Sequence, residues 1–137
     1  MSKQPDRLFV RKEDIEDFKL LQDEKDSPFC KRTNKDVFFM AMLVGLKNGV
    51  RLPLQSKQEY VREEYLNDDE RTIIKSIAIS EEKDLSVLVD KGRVYQIAEE
   101  YAAGGIKYLK NSAFKRQHGS YVKELEGELL EEFEKTR

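Results

Sequence analysis

Apolar residues recur at regular intervals along the chain, and their spacing predicts its secondary structure. The alternating stretch Arg7–Val10 predicts a short β-strand. After it, Ile15, Phe18 and Leu21 fall on one helical face, and acidic residues crowd the first turn, where the helix dipole favours them. The chain is therefore predicted to begin with a strand followed by an amphipathic helix.

The strongest apolar segment is the unbroken run at 37–46. Thr33 or Asn34 can cap a helix at its start, Gly49 is suited to end it, and Pro53 prevents its continuation. Because a helix that is apolar on every side must be covered on every side, it is central to the core, shared with a second copy, or both. The candidate residues for an oligomer or partner interface on this helix are Phe38, Phe39, Met42, Leu43 and Leu46.

A segment at 55–66 separates this helix from the second half of the chain, and its pattern fits a helix only loosely, so part of it could be extended. A firmer helix follows, capped by Asn67 or Asp68, and it buries a stripe of isoleucines. The next helix is predicted at about 93–111.

Two adjacent glycines, Gly104 and Gly105, lie inside that helix. Together they cost about 2 kcal/mol relative to two alanines, so they indicate a helix end, a kink or a close backbone contact. A last amphipathic helix is predicted at about 120–134.

These elements predict a mainly α fold, a compact bundle of about five helices with a short N-terminal β-strand. At 137 residues the chain is expected to be a single domain, 1–137. Within it, residues 1–6 are expected to form a flexible N-terminus, and 119–137 an acidic C-terminal helix.

The order strand, helix, helix at the N-terminus resembles a ribbon–helix–helix unit, in which paired strands from two chains enter a DNA groove. Leu8 and Val10 would then face the core, whereas Arg7, Phe9 and Arg11 would face outward. Arginine side chains can donate two hydrogen bonds to guanine. The alternative is a strand that simply packs on its own domain.

Composition narrows the class of protein. Charged residues make up 38% of the chain, well above the usual quarter, so solvated helix faces are expected to cover much of the surface. The single cysteine, Cys30, cannot form an internal disulfide and indicates a reducing, cytoplasmic compartment. The N-terminus has no signal-peptide pattern, and the apolar run is too short to span a membrane.

Positive charge is concentrated in two stretches although the net charge is −2. Basic residues outnumber acids six to one at 27–57, and four to none at 107–118. A near-neutral total can therefore hide a basic face that contacts DNA phosphates. The candidate DNA-binding residues are Arg7, Arg11, Lys31, Arg32, Lys35, Lys47, Arg51, Lys57, Lys107, Lys110, Lys115 and Arg116.

The sequence contains no catalytic constellation. His118, the one histidine, lies in a polar segment without a partner that would position it as a general base. Cys30 has no triad, and the side chains of Asp68 and Asp69 diverge by about 100° on a helix, which disfavours a shared metal ion. The prediction is a protein that is not an enzyme and that uses no metal or cofactor.

Two separated motifs resemble a known family. The first, at 35–54, reads KDVFFMAMLVGLKNGVRLPL, and the second, at 94–111, reads VYQIAEEYAAGGIKYLKN. Both are similar to motifs of small accessory proteins encoded with Dnd systems, which place sulfur in the DNA backbone and restrict DNA that lacks it. The matching residues are Asn34, Lys35, Asp36, Val37, Phe38, Gly45, Lys47, Asn48, Gly49, Arg51, Pro53 and Leu54, then Ala98, Glu99, Glu100, Tyr101, Gly104, Gly105 and Leu109.

This resemblance spans about 29–109 and implies a role in antiviral DNA defence, with no catalytic residues to carry over. The leading hypothesis is a non-catalytic, cytoplasmic accessory subunit of a bacterial or archaeal DNA-modification or phage-defence system. It would form a homodimer or higher oligomer, bind a larger ATPase or nuclease component, and contact duplex DNA. No membrane partner is expected. The alternative is a ribbon–helix–helix-type transcription regulator, and a nuclease is disfavoured because no cluster of acids and lysine is present.

Overall fold

Four α-helices and a two-stranded antiparallel sheet form the part of the chain that the computed structural model describes, residues 6–114 and Leu129. The mainly α prediction is confirmed, but these residues contain four helices rather than about five. The predicted fifth helix, at 119–137, lies outside them except for Leu129, which is buried. In chain order the elements are β1 (Arg7–Val10), α1 (Ile15–Asp23), α2 (Asn34–Asn48), β2 (Gln58–Arg62), α3 (Asp68–Glu82) and α4 (Lys91–Ala113).

Helix α2 begins and ends where its local signals predict. Thr33 Oγ1 accepts a hydrogen bond from the Asp36 N–H at 3.2 Å, which satisfies one of the free donors of the first turn. At the other end Gly49 has a φ of 68°, and this left-handed conformation lets the Val50 N–H donate to Gly45 O at 3.0 Å.

Helix α3 begins with a reciprocal cap. Asn67 Oδ1 accepts from the Glu70 N–H at 2.8 Å, and Glu70 Oε1 accepts from the Asn67 N–H at 2.9 Å. Ile74, Ile77 and Ala78 then face the core, so the predicted apolar stripe lies where the sequence pattern places it.

The ambiguous segment before α3 contains strand β2, which pairs with β1. Arg7 lies opposite Arg62, and Leu8 lies opposite Val61. Strand β1 therefore pairs within its own chain, which corrects the expectation that it would begin a ribbon–helix–helix unit by pairing with a second copy. The partner strand was not recognised because Val61 is its one buried residue, which leaves too little alternation to detect.

Close packing of α2 on α4 occupies the centre of the molecule, and glycines permit it. A Cβ added at Gly105 would lie 1.9 Å from a carbonyl oxygen of α2, and one at Gly45 would lie 2.0 Å from Tyr101 O. At Gly104 the obstacle is Val50 O, at 2.0 Å. Helix α4 continues through its glycine pair, so of the three predicted explanations close backbone contact is the one observed.

The apolar core collects side chains from all four helices and both strands. Phe18 of α1, Phe38 of α2, Ile74 of α3 and Ile97 of α4 are each at most 2% exposed. Helix α2 is thus largely covered by elements of its own chain. Among the described residues, no helix combines the length and the apolar character that crossing a membrane requires.

Candidate functional site

Ten of the basic residues predicted to contact DNA are described by the structure, and at least six of these take part in ion pairs within the chain. Arg11 donates to Asp14 at 2.8 and 3.0 Å, and Asp14 is fully buried. Lys107 and Lys110 both reach Asp17, at 3.1 and 3.0 Å. Arg7, Lys35 and Arg51 have carboxylate partners too. Their positive charge is partly neutralised, which weakens the field that would attract a DNA backbone.

Arg51 has the most extensive contacts of these cations. Its Nε donates to Glu100 Oε1 and its Nη1 to Glu81 Oε1, both at 2.7 Å. The guanidinium also lies 5.9 Å from the centre of the Tyr101 ring. Burial raises the pKa of Glu81, but hydrogen bonds from Tyr101 and Arg51 outweigh it and hold that pKa below its ordinary value. Arg51 therefore joins α3 and α4 to the turn after α2.

Replacing Arg51 by methionine is expected to lower the free energy of unfolding by about 2 kcal/mol, because the Glu100 carboxylate, 12% exposed, would lose its cation. Urea denaturation followed by circular dichroism measures the change. The matched control is Arg93→Met, because Arg93 has a single, more exposed pair with Glu82 and should cost less than about 1 kcal/mol. Equal losses in the two variants would contradict the bridging role.

The other predicted DNA contacts are more exposed. Four of them lie on the surface of the described part of the chain: Lys31, Arg32, Lys47 and Lys57. Lys115 and Arg116 lie outside the described residues. The described candidates come from several elements, with Arg7 on β1, Lys35 and Lys47 on α2, and Lys107 and Lys110 on α4.

Three arginines line a polar cavity of about 410 Å³ beside the sheet. Arg7 and Arg62 are opposite each other in β1 and β2, and Arg71 comes from the first turn of α3. We call this the arginine cavity. Arg71 donates through Nη2 to Glu63 O at 3.1 Å. Its Nε is the one buried side-chain nitrogen or oxygen in the described part of the chain that has no hydrogen-bond partner. The acidic residues lining the cavity are Asp6, Glu63 and Glu64.

An exposed apolar strip lies between α3 and α4, on the 3₁₀ helix Leu85–Val89. Leu85, Leu88 and Val89 are 70%, 40% and 86% exposed. Asp84 Oδ1 accepts from the Ser86 N–H at 2.9 Å, and at the other end the Asp90 N–H donates to Val87 O at 2.9 Å. Because both ends are held by hydrogen bonds, the strip is held in a defined conformation.

A buried carboxylate, Glu99, lies between α4 and β1. Glu99 is 5% exposed, and its Oε2 accepts a hydrogen bond from the Phe9 N–H at 2.8 Å. Burial raises the pKa of Glu99 to about 7, although the Phe9 hydrogen bond and the charge of Lys57 both act to lower it. The other neighbouring charge, Glu100, raises it further.

The family model described as DNA sulphur modification system-associated protein 4 matches residues 10–137. The chain belongs to this family. No curated protein and no solved structure matches the chain. The resemblance to accessory proteins of Dnd systems is thereby confirmed at the level of the family.

Within this family member, the two motifs that carried the resemblance are in direct contact. The Leu52 N–H donates to Glu100 O at 3.0 Å, next to the Arg51–Glu100 ion pair. Gly45 of the first motif and Gly105 of the second provide the close approach of α2 and α4. Asn34, at the start of the first motif, donates to Tyr60 O at 2.9 Å and so ties α2 to β2. These motif residues therefore stabilise the fold.

The interface candidates on α2 have different exposures. Phe38, Met42 and Leu43 are buried within the chain, at 1%, 0% and 8% exposed. Phe39 and Leu46 are half-buried. Self-association through α2 stays a prediction. Of the five candidates, Phe39 and Leu46 are the two that remain partly accessible to a second copy.

No group of three or more His, Cys, Asp or Glu side chains lies close enough to hold a metal ion in the residues that the structure describes. Cys30 is a free cysteine and is half-buried. His118 lies outside the described residues.

Sequence reasoning did not single out Arg62, Arg71 or the apolar strip. Arg62 belongs to the stretch EYVREEYLNDDE, whose acidic total concealed it, and Arg71 follows directly. That Arg7 lies opposite Arg62 could be known only from the register in which β1 and β2 pair. The strip was interpreted as a short apolar piece between turns, and its exposure depends on the packing of α3 and α4.

Proposed function

We propose that this chain is a non-catalytic accessory subunit of a bacterial or archaeal DNA sulphur modification and phage-defence system, acting in the cytoplasm. It docks on a larger protein component of that system, an ATPase or a nuclease. Membership of a family described as associated with the DNA sulphur modification system supports the setting. The paired cations favour protein contact over DNA as the main mode of binding.

The observation that carries this proposal is the exposed apolar strip. A 3₁₀ helix brings residues three apart onto the same side, so Leu85 and Leu88 project together. The strip is anchored by Val87, which is 8% exposed, and both ends are held by hydrogen bonds, so little conformational entropy is lost when a partner covers it. The carboxylates of Asp84 and Asp90 flank it, which fits a partner with an apolar pocket and a basic rim.

DNA contact is the secondary part of the proposed function. Lys31, Arg32, Lys47 and Lys57 are exposed, and they would position phosphates without reading sequence. Bound to the larger component, these side chains add to that component's own DNA surface. Alone, the chain is expected to bind duplex DNA no more tightly than a typical non-specific binder, with a dissociation constant of about 10⁻⁶ M or weaker.

The docking role is tested by co-expressing the tagged chain with each larger protein of its own DNA sulphur modification system. We expect one of them to co-purify as a stoichiometric complex. The double variant Leu85→Lys, Val89→Lys should weaken that complex by at least about tenfold, or 1.4 kcal/mol, because it places two charges in an apolar contact. Isothermal titration calorimetry measures the affinities.

The control is Tyr108→Lys, which places a charge at a large exposed side chain on α4, 48% exposed and outside the strip. It should bind as the wild type does, and circular dichroism should show that both variants are folded. If no component binds the wild-type chain, the docking role is wrong. If the double variant binds as tightly as the control, the strip is not the docking surface.

A further inference from the structure

We infer that the arginine cavity binds a phosphodiester group of the DNA backbone. The inference rests on the proposed function only in taking DNA as the source of that group. The site itself follows from three guanidinium side chains that meet at one cavity, Arg7, Arg62 and Arg71. None of the features so far assigned to docking or to stabilising the fold includes this cavity.

The buried donor of Arg71 is the first reason. A buried N–H without an acceptor costs about 1–3 kcal/mol, and natural proteins seldom leave one unsatisfied. The Nη2 atom of Arg71 already donates to Glu63 O, which fixes the guanidinium against the 3₁₀ turn. Its Nε–H is buried and has no partner, on a side chain that lines the cavity. An anion that drew the Arg71 side chain toward the cavity would satisfy this donor.

The balance of charge around the cavity is the second reason. Glu63 is engaged by Lys91, at 2.6 Å, so it offers little repulsion to an incoming anion. Arg62 and Glu64 are 61% and 65% exposed and 3.5 Å apart, which makes a weak pair. A phosphate can therefore displace the Glu64 carboxylate from Arg62. Arg7 is paired with Glu59 and also lies 3.7 Å from the exposed Asp6, a second weak pair whose carboxylate a phosphate can displace.

The chemistry of the lining selects a phosphate group over a base or an apolar ligand. Three arginines and three acidic residues line the cavity, and it has no aromatic side chain on which a base could stack. Guanidinium groups donate pairs of hydrogen bonds to phosphate oxygens with matching geometry. The predicted contact therefore fixes position along the backbone and carries no sequence preference.

Fluorescence anisotropy with a short duplex oligonucleotide tests the site. Arg62→Gln removes one exposed guanidinium and should weaken binding at low salt by about tenfold and reduce the slope of log affinity against log salt by about 1. Lys75→Gln is the matched control, because it removes one exposed positive charge from α3 outside the cavity. Equal effects of the two substitutions would overturn the inference.

A second measurement follows the Arg71 Nε–H signal by nuclear magnetic resonance. We expect that signal to shift and saturate when the duplex is added to the wild-type chain, and to move less when inorganic phosphate is added at the same phosphate concentration. A shift with inorganic phosphate alone would make this a site for free phosphate and overturn the assignment to DNA. No shift with either probe would overturn the inference.

These outcomes are separable from failure of the proposed function. A chain that co-purifies with a larger component but shows neither the Arg62 effect nor the Arg71 shift would retain its docking role and lose the phosphate site. A chain that shows both the Arg62 effect and the Arg71 shift but binds no larger component would retain the phosphate site and lose its docking role.

Discussion

Replacing Gly105 by alanine is expected to lower the free energy of unfolding by about 3 kcal/mol or more, a large part of the stability of a small domain. The added Cβ would lie 1.9 Å from Ala41 O and 2.5 Å from Gly45 N. Both obstacles are backbone atoms of α2, so no side chain can rotate away to make room. The two helices would have to move apart.

Separation of α2 and α4 would disturb most of the core at once. Gly45 and Gly104 face the same contact, with added Cβ atoms 2.0 Å from Tyr101 O and Val50 O. A shift that relieves the clash at Gly105 therefore also loosens the packing at these two positions. Interior packing is dense, and dispersion contacts weaken quickly as a gap opens, so the loss is shared by many side chains.

Gly92→Ala is the matched control in the same helix. An added Cβ there would meet Asp90 Oδ1 at 3.5 Å, which is ordinary contact. Alanine is the better helix former, so this variant should be more stable than the wild type by about 0.5–1 kcal/mol. Urea denaturation of both variants measures the contrast. Similar stability for Gly105→Ala and Gly92→Ala would show that close helix contact is not what requires the glycine.

The features that sequence predicted well depend on local interactions. Thr33 and Gly49 set the ends of α2 through hydrogen bonds within a few residues, and Asn67 does the same for α3. Such signals act in the same way whatever the rest of the chain does. The alternation of β1 was also sufficient to identify which of its side chains are buried.

The features that sequence could not predict depend on contacts between distant residues. The glycine pair had three explanations until the structure showed that a Cβ added at Gly104 would collide with Val50 O. Arg51 was interpreted as a surface cation because its partners, Glu81 and Glu100, lie 30 and 49 residues away. In each case a residue of ordinary local character acquires its role from tertiary packing.

The candidate sites were the least predictable part of the molecule. Net charge over a stretch of sequence was a poor guide, because the ion pair of Asp17 with Lys110 joins segments 93 residues apart. The same limitation concealed the arginine cavity, in which Arg7 comes from the N-terminal strand and Arg71 from α3. Charge patterns indicate where cations are present, whereas their partners decide whether those cations are available to DNA.

The second large effect is expected from Glu99, whose titration should lower stability as pH rises from about 4.5 to about 7. Burial raises the pKa of Glu99 in the folded chain, so the native state keeps a proton that the unfolded state has already released. Unfolding then releases a proton throughout this range, and a rise in pH favours the unfolded state. A shift from 4.5 to about 7 corresponds to about 3 kcal/mol.

Glu99→Gln isolates this effect, because glutamine keeps an oxygen that can accept from the Phe9 N–H and does not titrate. The stability of the variant relative to wild type should rise by about 3 kcal/mol from below pH 4.5 to above pH 7. Taking this difference removes the opposite dependence of Asp17, Glu63 and Glu81, whose pKa values are lowered and whose stabilising effect is lost in acid.

Lys57→Met provides an independent check on the cause. The charge of Lys57 lowers the pKa of Glu99, so its removal should raise that pKa further and extend the fall in stability to higher pH. Urea denaturation at a series of pH values measures the free energy of unfolding of the wild type, Glu99→Gln and Lys57→Met. Parallel curves for wild type and Glu99→Gln would mean that Glu99 is ionised in the folded protein and that its burial is offset by contacts stronger than the Phe9 hydrogen bond.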